Sequence, residues 1–292
     1  MKAHASIGVI GGSGLYEMVG LSDAEEVAVE TPFGPPSDAL ILGTVGERRV
    51  AFLARHGRGH RLMPTDVNYR ANIYAMKLLG VQRIFSASAV GSLREEIAPL
   101  HIVLPDQFVD RTRHRASTFF GEGLVAHISL ADPFCPQLRG ILAQRGRELG
   151  LTVHTAGVYL CIEGPQFSTK AESRQYRAMG LDIIGMTNAT EARLAREAEI
   201  CYATLALVTD YDVWHEEEAP VTVEQIVERL RLNARAARDL IAASIAGLTE
   251  ERPCACGSAL AGALITDPRA VDPDARERLR PIVGRYLESP AS

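Results

Sequence analysis

No apolar run in this chain of 292 residues approaches the length needed to span a bilayer. The N-terminal apolar stretch over 7–15 is interrupted by Gly8, Gly11, Gly12 and Gly14, so it reads neither as a signal peptide nor as an anchor. A basic stripe is missing too. Lys and Arg number 31 against 36 Asp and Glu, the formal charge is -5, and the arginines are scattered singly. That balance speaks against a polybasic membrane arm and against a nucleic-acid partner. Cysteine is scarce and odd in number: the 5 residues are Cys135, Cys161, Cys201, Cys254 and Cys256. Such usage does not fit the disulfide framework of a small secreted domain and points to a reducing cytoplasm. Cys254 and Cys256 are too close in sequence for the usual zinc knuckle, with no second pair to complete a tetrahedral site. They read as adjacent thiols near an exposed tail. Internal repeats and low-complexity tracts are absent as well.

What is present is a chain 47% hydrophobic and 23% charged, able to bury a sizeable core as one large domain or two ordinary ones. Short runs of Val, Ile and Leu at 5–10, 50–54, 83–89, 102–104, 152–162, 182–186 and 202–208 predict buried strands. Between them, helical patterns run over 68–79 and 136–149, stopped by Gly80 and Gly150. Further helices are predicted over 171–179, capped by Ser168 or Thr169, and over 191–199, capped by Asn188 or Thr190. The longest follows Thr222 and reaches 245. Strands alternating with helices predict an α/β fold with helices on both faces of the sheet. Beyond Leu248 the composition shifts to Cys, Gly, Ala and Pro before a late charged helix, which reads as an appendage.

Several strand ends carry chemistry. The glycine turn of segment 7–15 would let backbone N–H groups and the Ser13 hydroxyl approach an anion, although a plain tight turn would look the same. It lacks the Lys of a P-loop and the spacing of a dinucleotide fingerprint. Arg55 and His56 follow the strand at 50–54, where α/β sheets bind ligands, and Arg55 could fork onto an oxyanion. His56 and His60 have the spacing of a helical metal pair, but Gly57 and Gly59 disfavour a helix and no acidic ligand is adjacent. Ser88 ends a third strand and could offer its hydroxyl to the same anion; small residues packing closely would explain it equally. Asp210 and Asp212 follow the strand at 202–208 and, if the extended geometry continues, point to one side. Mutual repulsion would then let one keep its proton near neutrality and act as an acid, although two solvated loop aspartates would read alike. Phe167 supplies an aromatic face and Met186 a thioether beside the Thr187 hydroxyl, which suits a flat, nitrogen-rich heterocycle on a sugar.

Taken together, IGVIGGSGL (7–15), ARHGR (54–58), MPTDVNYRAN (63–72), GSLREEI (91–97), DQFVDRTR (106–113), IEGPQF (162–167), GMT (185–187) and TDYDVW (209–214) closely resemble the trimeric purine nucleoside phosphorylase family. The resemblance covers about residues 5–248. It implies a single α/β domain with a central mixed, largely parallel twisted sheet, with 249–292 as an appendage packed on the domain or a subunit interface. It also implies a cytoplasmic homotrimer in which phosphate attacks the anomeric carbon of a nucleoside with inversion. Phosphate is then a co-substrate, and no metal or organic cofactor is implied.

By the family pattern Ser13, Arg55, His56, Ser88, Ala89 and Thr187 bind phosphate, Met186 packs on the ribose, and Phe167 with Ser168 lines the nucleoside pocket. Asp210 protonates or hydrogen-bonds N7 of the purine, and Asp212 recognises an exocyclic amine. The 6-oxopurine branch usually has Asn at the position of Asp210, so the acid points to a 6-aminopurine. Val223, Ile226 and Val227, at i, i+3 and i+4, would wall the 5' end with apolar surface suited to a methylthio group, although core packing gives the same pattern. His127 would reach a neighbouring subunit's 5' pocket. Ser13 and Ser88 stand where many relatives have Thr, which keeps the hydroxyl. The expected reaction is phosphate-dependent cleavage of 5'-methylthioadenosine. Alternatives are 6-oxopurine nucleosides, methylthioinosine, another 5'-modified adenosine, hydrolysis by water, or an inactive nucleoside-binding protein.

Overall fold

A computed structural model describes residues 4–12, 21–215 and 223–287, without the side chains at 223–227 and 230. The apolar runs at 5–10, 50–54, 83–89 and 202–208 form β1 (Ile7–Gly11), β4 (Arg48–Ala54), β5 (Arg83–Ser92) and β11 (Cys201–Asp210). These four lie side by side and parallel in the order β4-β1-β5-β11. β11 is buried from Cys201 to Thr209, as expected of a parallel strand covered on both faces. Antiparallel strands extend the sheet from β4, through β3 (Leu40–Val45) to β2 (Ser22–Val27). β2 reads SDAEEV and is mostly exposed, so it carries no hydrophobic signal and escapes a reading by periodicity.

The single strand expected over 152–162 is two strands. β8 (Val153–His154) pairs with β6 (Ile102–Val103), whereas β9 (Val158–Cys161) pairs with β7 (Gln107–Asp110) and β10 (Ile183–Gly185). The two halves serve different neighbours, and the chain must turn between them.

Helices cover both faces. On one side α1 (Tyr69–Leu78), α4 (Asn188–Glu197) and α6 (Pro273–Leu287) share a core that includes Ile73, Leu194 and Leu279. On the other, α2 (Pro136–Glu148) and α5 (Val223–Ala246) pack Leu138, Leu142 and Ile241 against the sheet. Of the expected caps, Thr169 is the one that acts as such. Asn68 Oδ1 accepts the Ala71 N–H at the start of α1, and Thr169 with Glu172 closes a capping box on α3 (Lys170–Ala178). The helix expected from 191 begins three residues earlier, at Asn188, with Thr187 as N-cap. From 249 onward, Leu260, Val271, Ala275, Leu279, Ile282 and Val283 are buried in the core beside α1.

Candidate active site

The sheet opens between interior strands. β5 runs beside β1 only as far as Ala87, opposite Gly11, while its far end at Gly91 and Ser92 pairs antiparallel with β10. The gap lies beyond the C-terminal ends of β1 and β4, where open α/β sheets take ligands. A cavity of ≈ 320 Å³ fills it, lined by Gly12, Arg55, Ser88, Thr187, Met186 and Asp210 among others.

One end of the cavity is made for an anion. Thr187 Oγ1 is buried with no hydrogen-bond partner and caps nothing in its own helix. It stands at the N-terminus of α4, where free N–H groups and the helix dipole favour negative charge. His56 Nδ1 lies 2.9 Å from the Leu62 carbonyl oxygen. Burial and then Arg55 push the His56 pKa down to about 4, so at neutral pH the ring donates from Nδ1 and keeps Nε2 as an acceptor. The Ser88 hydroxyl donates to Asn188 Oδ1 at 2.6 Å. Ala89 is exposed into the same space.

Arg55 does not offer a free fork. Its Nε donates to Glu191 Oε1, its Nη2 to Glu191 Oε2 at 3.1 Å and to Ser86 Oγ at 2.6 Å, and its Nη1 to the Ala87 carbonyl at 2.9 Å. Both partners are 1% exposed. Burial opposes the charge of the guanidinium, but Glu191 outweighs it and raises the pKa. The bidentate grip expected on an oxyanion is therefore taken by a carboxylate, and only Nη1, facing Gly12, remains turned toward the cavity. Glu191 escaped the sequence reading because a charged residue in a helix looks like a solvated one. Its carboxylate also accepts from Tyr202 OH at 2.7 Å, and Asn188 Nδ2 donates to Tyr202 OH and Thr204 Oγ1, which makes one buried network.

The other end holds the aspartates. Asp210 closes β11, accepting from Thr209 Oγ1 at 2.7 Å and from the Asp212 N–H at 2.8 Å. That second bond turns the chain, and Asp212 takes a left-handed φ of 54°. The extended geometry expected through Asp212 thus stops at Asp210, although both residues line the cavity. The Asp210 pKa is raised, by burial first and by Asp212 only as a lesser cause. Mutual repulsion is therefore the smaller part of the effect. The Asp212 pKa is also raised by burial, while Ser173 and Ser168 lie near enough to ease its charge. Asp212 Oδ2, Ser168 Oγ and Ser173 Oγ are all buried without a hydrogen-bond partner. Of these, Asp212 and Ser168 line the cavity, where a ligand with polar hydrogens would satisfy them.

The model of the phosphorylase superfamily matches residues 6–246. The chain belongs to the phosphorylase superfamily. It is 56% identical over 284 residues to the S-methyl-5'-thioadenosine phosphorylase of Koribacter versatilis, covering 97% of each chain. Its identity to the protein of that name from Geobacter sulfurreducens is 57% over 282 residues, covering 96% of this chain and 99% of the relative. Among solved structures, a methylthioadenosine phosphorylase from an antarctic soil metagenomic library superposes with a TM-score of 0.92 at 50% identity, covering 96% of this chain and 99% of that one. An adenosine/methylthioadenosine phosphorylase variant from Schistosoma mansoni, solved with methylthioadenosine, gives 0.81 at 38% identity, covering 85% and 93%.

Within this superfamily fold, the cavity gathers Arg55, His56, Ser88, Ala89, Thr187, Phe167, Ser168, Met186, Asp210 and Asp212. Ser13 lies outside the described residues, as do the side chains of Val223, Ile226 and Val227 on α5. His127 is exposed, its N–H on the Ala263 carbonyl, and is not among the residues lining this chain's cavity. Phe167 is 64% exposed at the mouth. Behind it, buried Arg115 holds the loop by donating to the carbonyls of Glu163 and Met186. The Glu163 carboxyl lies at about 2; burial would raise it, but hydrogen bonds from Thr65, Arg113 and His114 prevail.

Gly91 leaves no room above the acid. A Cβ there would lie 2.9 Å from Asp210 Oδ1 and 3.4 Å from Asp212 Cβ. Gly91→Ala is expected to lower kcat about tenfold or more by displacing the carboxylate, with about 1–3 kcal/mol of overpacking cost. Steady-state kinetics beside a thermal melt check this, and unchanged kcat would show that the carboxylate position is not critical.

Proposed function

We propose that this chain catalyses the phosphate-dependent cleavage of S-methyl-5'-thioadenosine to adenine and 5-methylthioribose 1-phosphate. The observation that carries the reading is a partly buried acid of raised pKa, Asp210, sharing one cavity with the unpartnered Thr187 hydroxyl at the N-terminus of α4. Phosphate sits against Thr187, Ser88, Ala89, Arg55 Nη1 and His56, with Ser13 completing the cradle. His56 Nε2 and the Ser88 lone pairs offer acceptors, which suits a phosphate that still carries a proton. Met186 packs on the ribose, and Phe167 and Ser168 on the nucleoside. As the glycosidic bond breaks, an oxyanion of phosphate closes on the anomeric carbon while charge gathers on the purine, and Asp210 relieves it at N7. Holding both reactants in line supplies much of the remaining rate.

Substrate choice follows from the same groups. Asp212 and Ser168 present oxygens without partners, which fit the exocyclic amine of adenine better than a carbonyl. The relatives named above carry the methylthioadenosine name, and Val223 and Val227 of α5, with His127 from a neighbouring subunit, would form the 5' wall. A homotrimer in the cytoplasm completes the proposal; among the described residues no helix is long and apolar enough to cross a membrane. The reaction as written uses no metal and no organic cofactor.

The test is adenine release from methylthioadenosine, beside hypoxanthine release from inosine and methylthioinosine, each with and without phosphate. Phosphate-dependent cleavage of methylthioadenosine with poor use of inosine is expected. Preference for a 6-oxopurine would overturn the substrate, and cleavage without phosphate would overturn the reaction.

A further inference from the structure

Away from the cavity, the chain brings four cysteines to one point. The sulfurs of Cys135, Cys201, Cys254 and Cys256 all lie within 4.8 Å of one another, and the Cys201 and Cys254 sulfurs are 3.3 Å apart. Cys135 is the N-cap of α2, Cys201 opens β11, and Cys254 and Cys256 belong to the short 3-10 turn Ala255–Ser258 and its cap. The second pair that the sequence lacked near Cys254 and Cys256 is supplied by residues far away along the chain. Three of the four are buried and Cys254 is partly so.

From this geometry we infer that the four cysteines hold a structural zinc ion that ties the C-terminal segment to the core. Four thiolates at the usual zinc–sulfur length of about 2.3 Å in a tetrahedron stand about 3.8 Å from each other. The present sulfur positions bracket that spacing, so small side-chain rotations suffice. Disulfides fit less well, since each needs one pair to close to about 2.05 Å, whereas here all four converge on one centre. Soft thiolates without oxygen or imidazole neighbours select zinc among the common divalent ions.

The surroundings suit the charge. A zinc tetrathiolate carries a net charge of about −2. Arg196 Nη1 lies 3.6 Å from Cys256 Sγ, and Arg252 is close enough to act on Cys201. Such outer partners steady a metal centre. Binding releases the four thiol protons to solvent and moves no electrons. Because Cys201 and Asp210 stand at opposite ends of β11, about 30 Å apart at 3.3 Å per residue, the site acts on stability and leaves the chemistry alone.

The protein should be purified without chelators or metal-affinity resin, and its zinc measured by plasma mass spectrometry. About one zinc per chain is expected, falling to less than a tenth in Cys254→Ser/Cys256→Ser. Wild-type protein stripped with a chelator under reductant should take up Co2+ with the intense near-ultraviolet thiolate band and the visible bands of a tetrahedral site. Zn2+ should displace it and raise the melting temperature by several degrees. Reduced wild-type protein that develops no such spectrum would overturn the proposal, as would alkylation and mass analysis of fresh protein finding these cysteines joined as disulfides.

Discussion

Asp210→Ala is expected to slow nucleoside cleavage by about 10²- to 10⁴-fold, the usual contribution of a positioned acid. Asp210 lines the cavity, is held by Thr209 and the Asp212 N–H, and has its pKa raised chiefly by burial. Burial therefore lets it keep a proton at a higher pH than an exposed aspartate would. The rate should fall as pH rises through this raised pKa, and Asp210→Asn should lose that alkaline limb. The linkage to stability has the opposite sign from a paired carboxylate. A folded pKa above the unfolded one penalises the folded state as pH rises from the unfolded value through the folded one. Asp210→Asn should then be no less stable than the wild type at neutral pH. Steady-state rates across pH, with a thermal melt at each end, check both parts. More than a tenth of wild-type activity in the Ala variant would remove the acid from the mechanism.

The second large effect concerns the pair beneath the anion. Glu191→Ala leaves Arg55 buried without its counter-charge, which should destabilise the fold by about 3–5 kcal/mol. The same substitution releases the guanidinium fork, so phosphate should bind the variant more tightly and restore part of the loss. Thermal melts with and without phosphate measure this. A melting temperature within about 1 °C of the wild type, or a phosphate-induced rise no larger than the wild type's, would refute the account.

Much of this site was legible before any coordinates. Arg55 and Asp210 stand at the ends of apolar runs, and strand ends are where α/β sheets keep their chemistry; Ser88, expected at a strand end, lies inside β5, which runs on to Ser92. Met186 and Thr187 were legible for the same reason, at the end of the short run at 182–186 and just beyond it. Pairing was harder to see. Nothing in the local pattern says that Glu191 occupies the Arg55 fork, because the two residues are 136 positions apart and meet only when the start of α4 is brought to the end of β4. Asn188 was read as a possible cap, yet its amide is spent inside the core on Tyr202 and Thr204. The turn at Asp212 was missed because alternation cannot show where a carboxylate recruits a backbone N–H. The sulfur cluster eluded a spacing rule for a related reason: Cys135, Cys201 and the 254–256 pair come from three separate segments.

β11 begins at a clustered cysteine, ends at the proposed acid, and is clamped on both sides by β5 and β6. Side chains along it alternate between the sheet's two faces up to Val208, where the register with β5 shifts before Asp210, so one further residue inserted or deleted between Cys201 and Asp210 would turn one of those ends to the wrong face. Apolar substitutions can accumulate at its Ala, Leu and Val positions, whereas Tyr202, Thr204 and Thr209 are held by their hydrogen bonds and the strand's length is closed to variation by insertion and deletion. Descendants of this sequence can change size in the loops around the cavity and still keep β11 at ten residues.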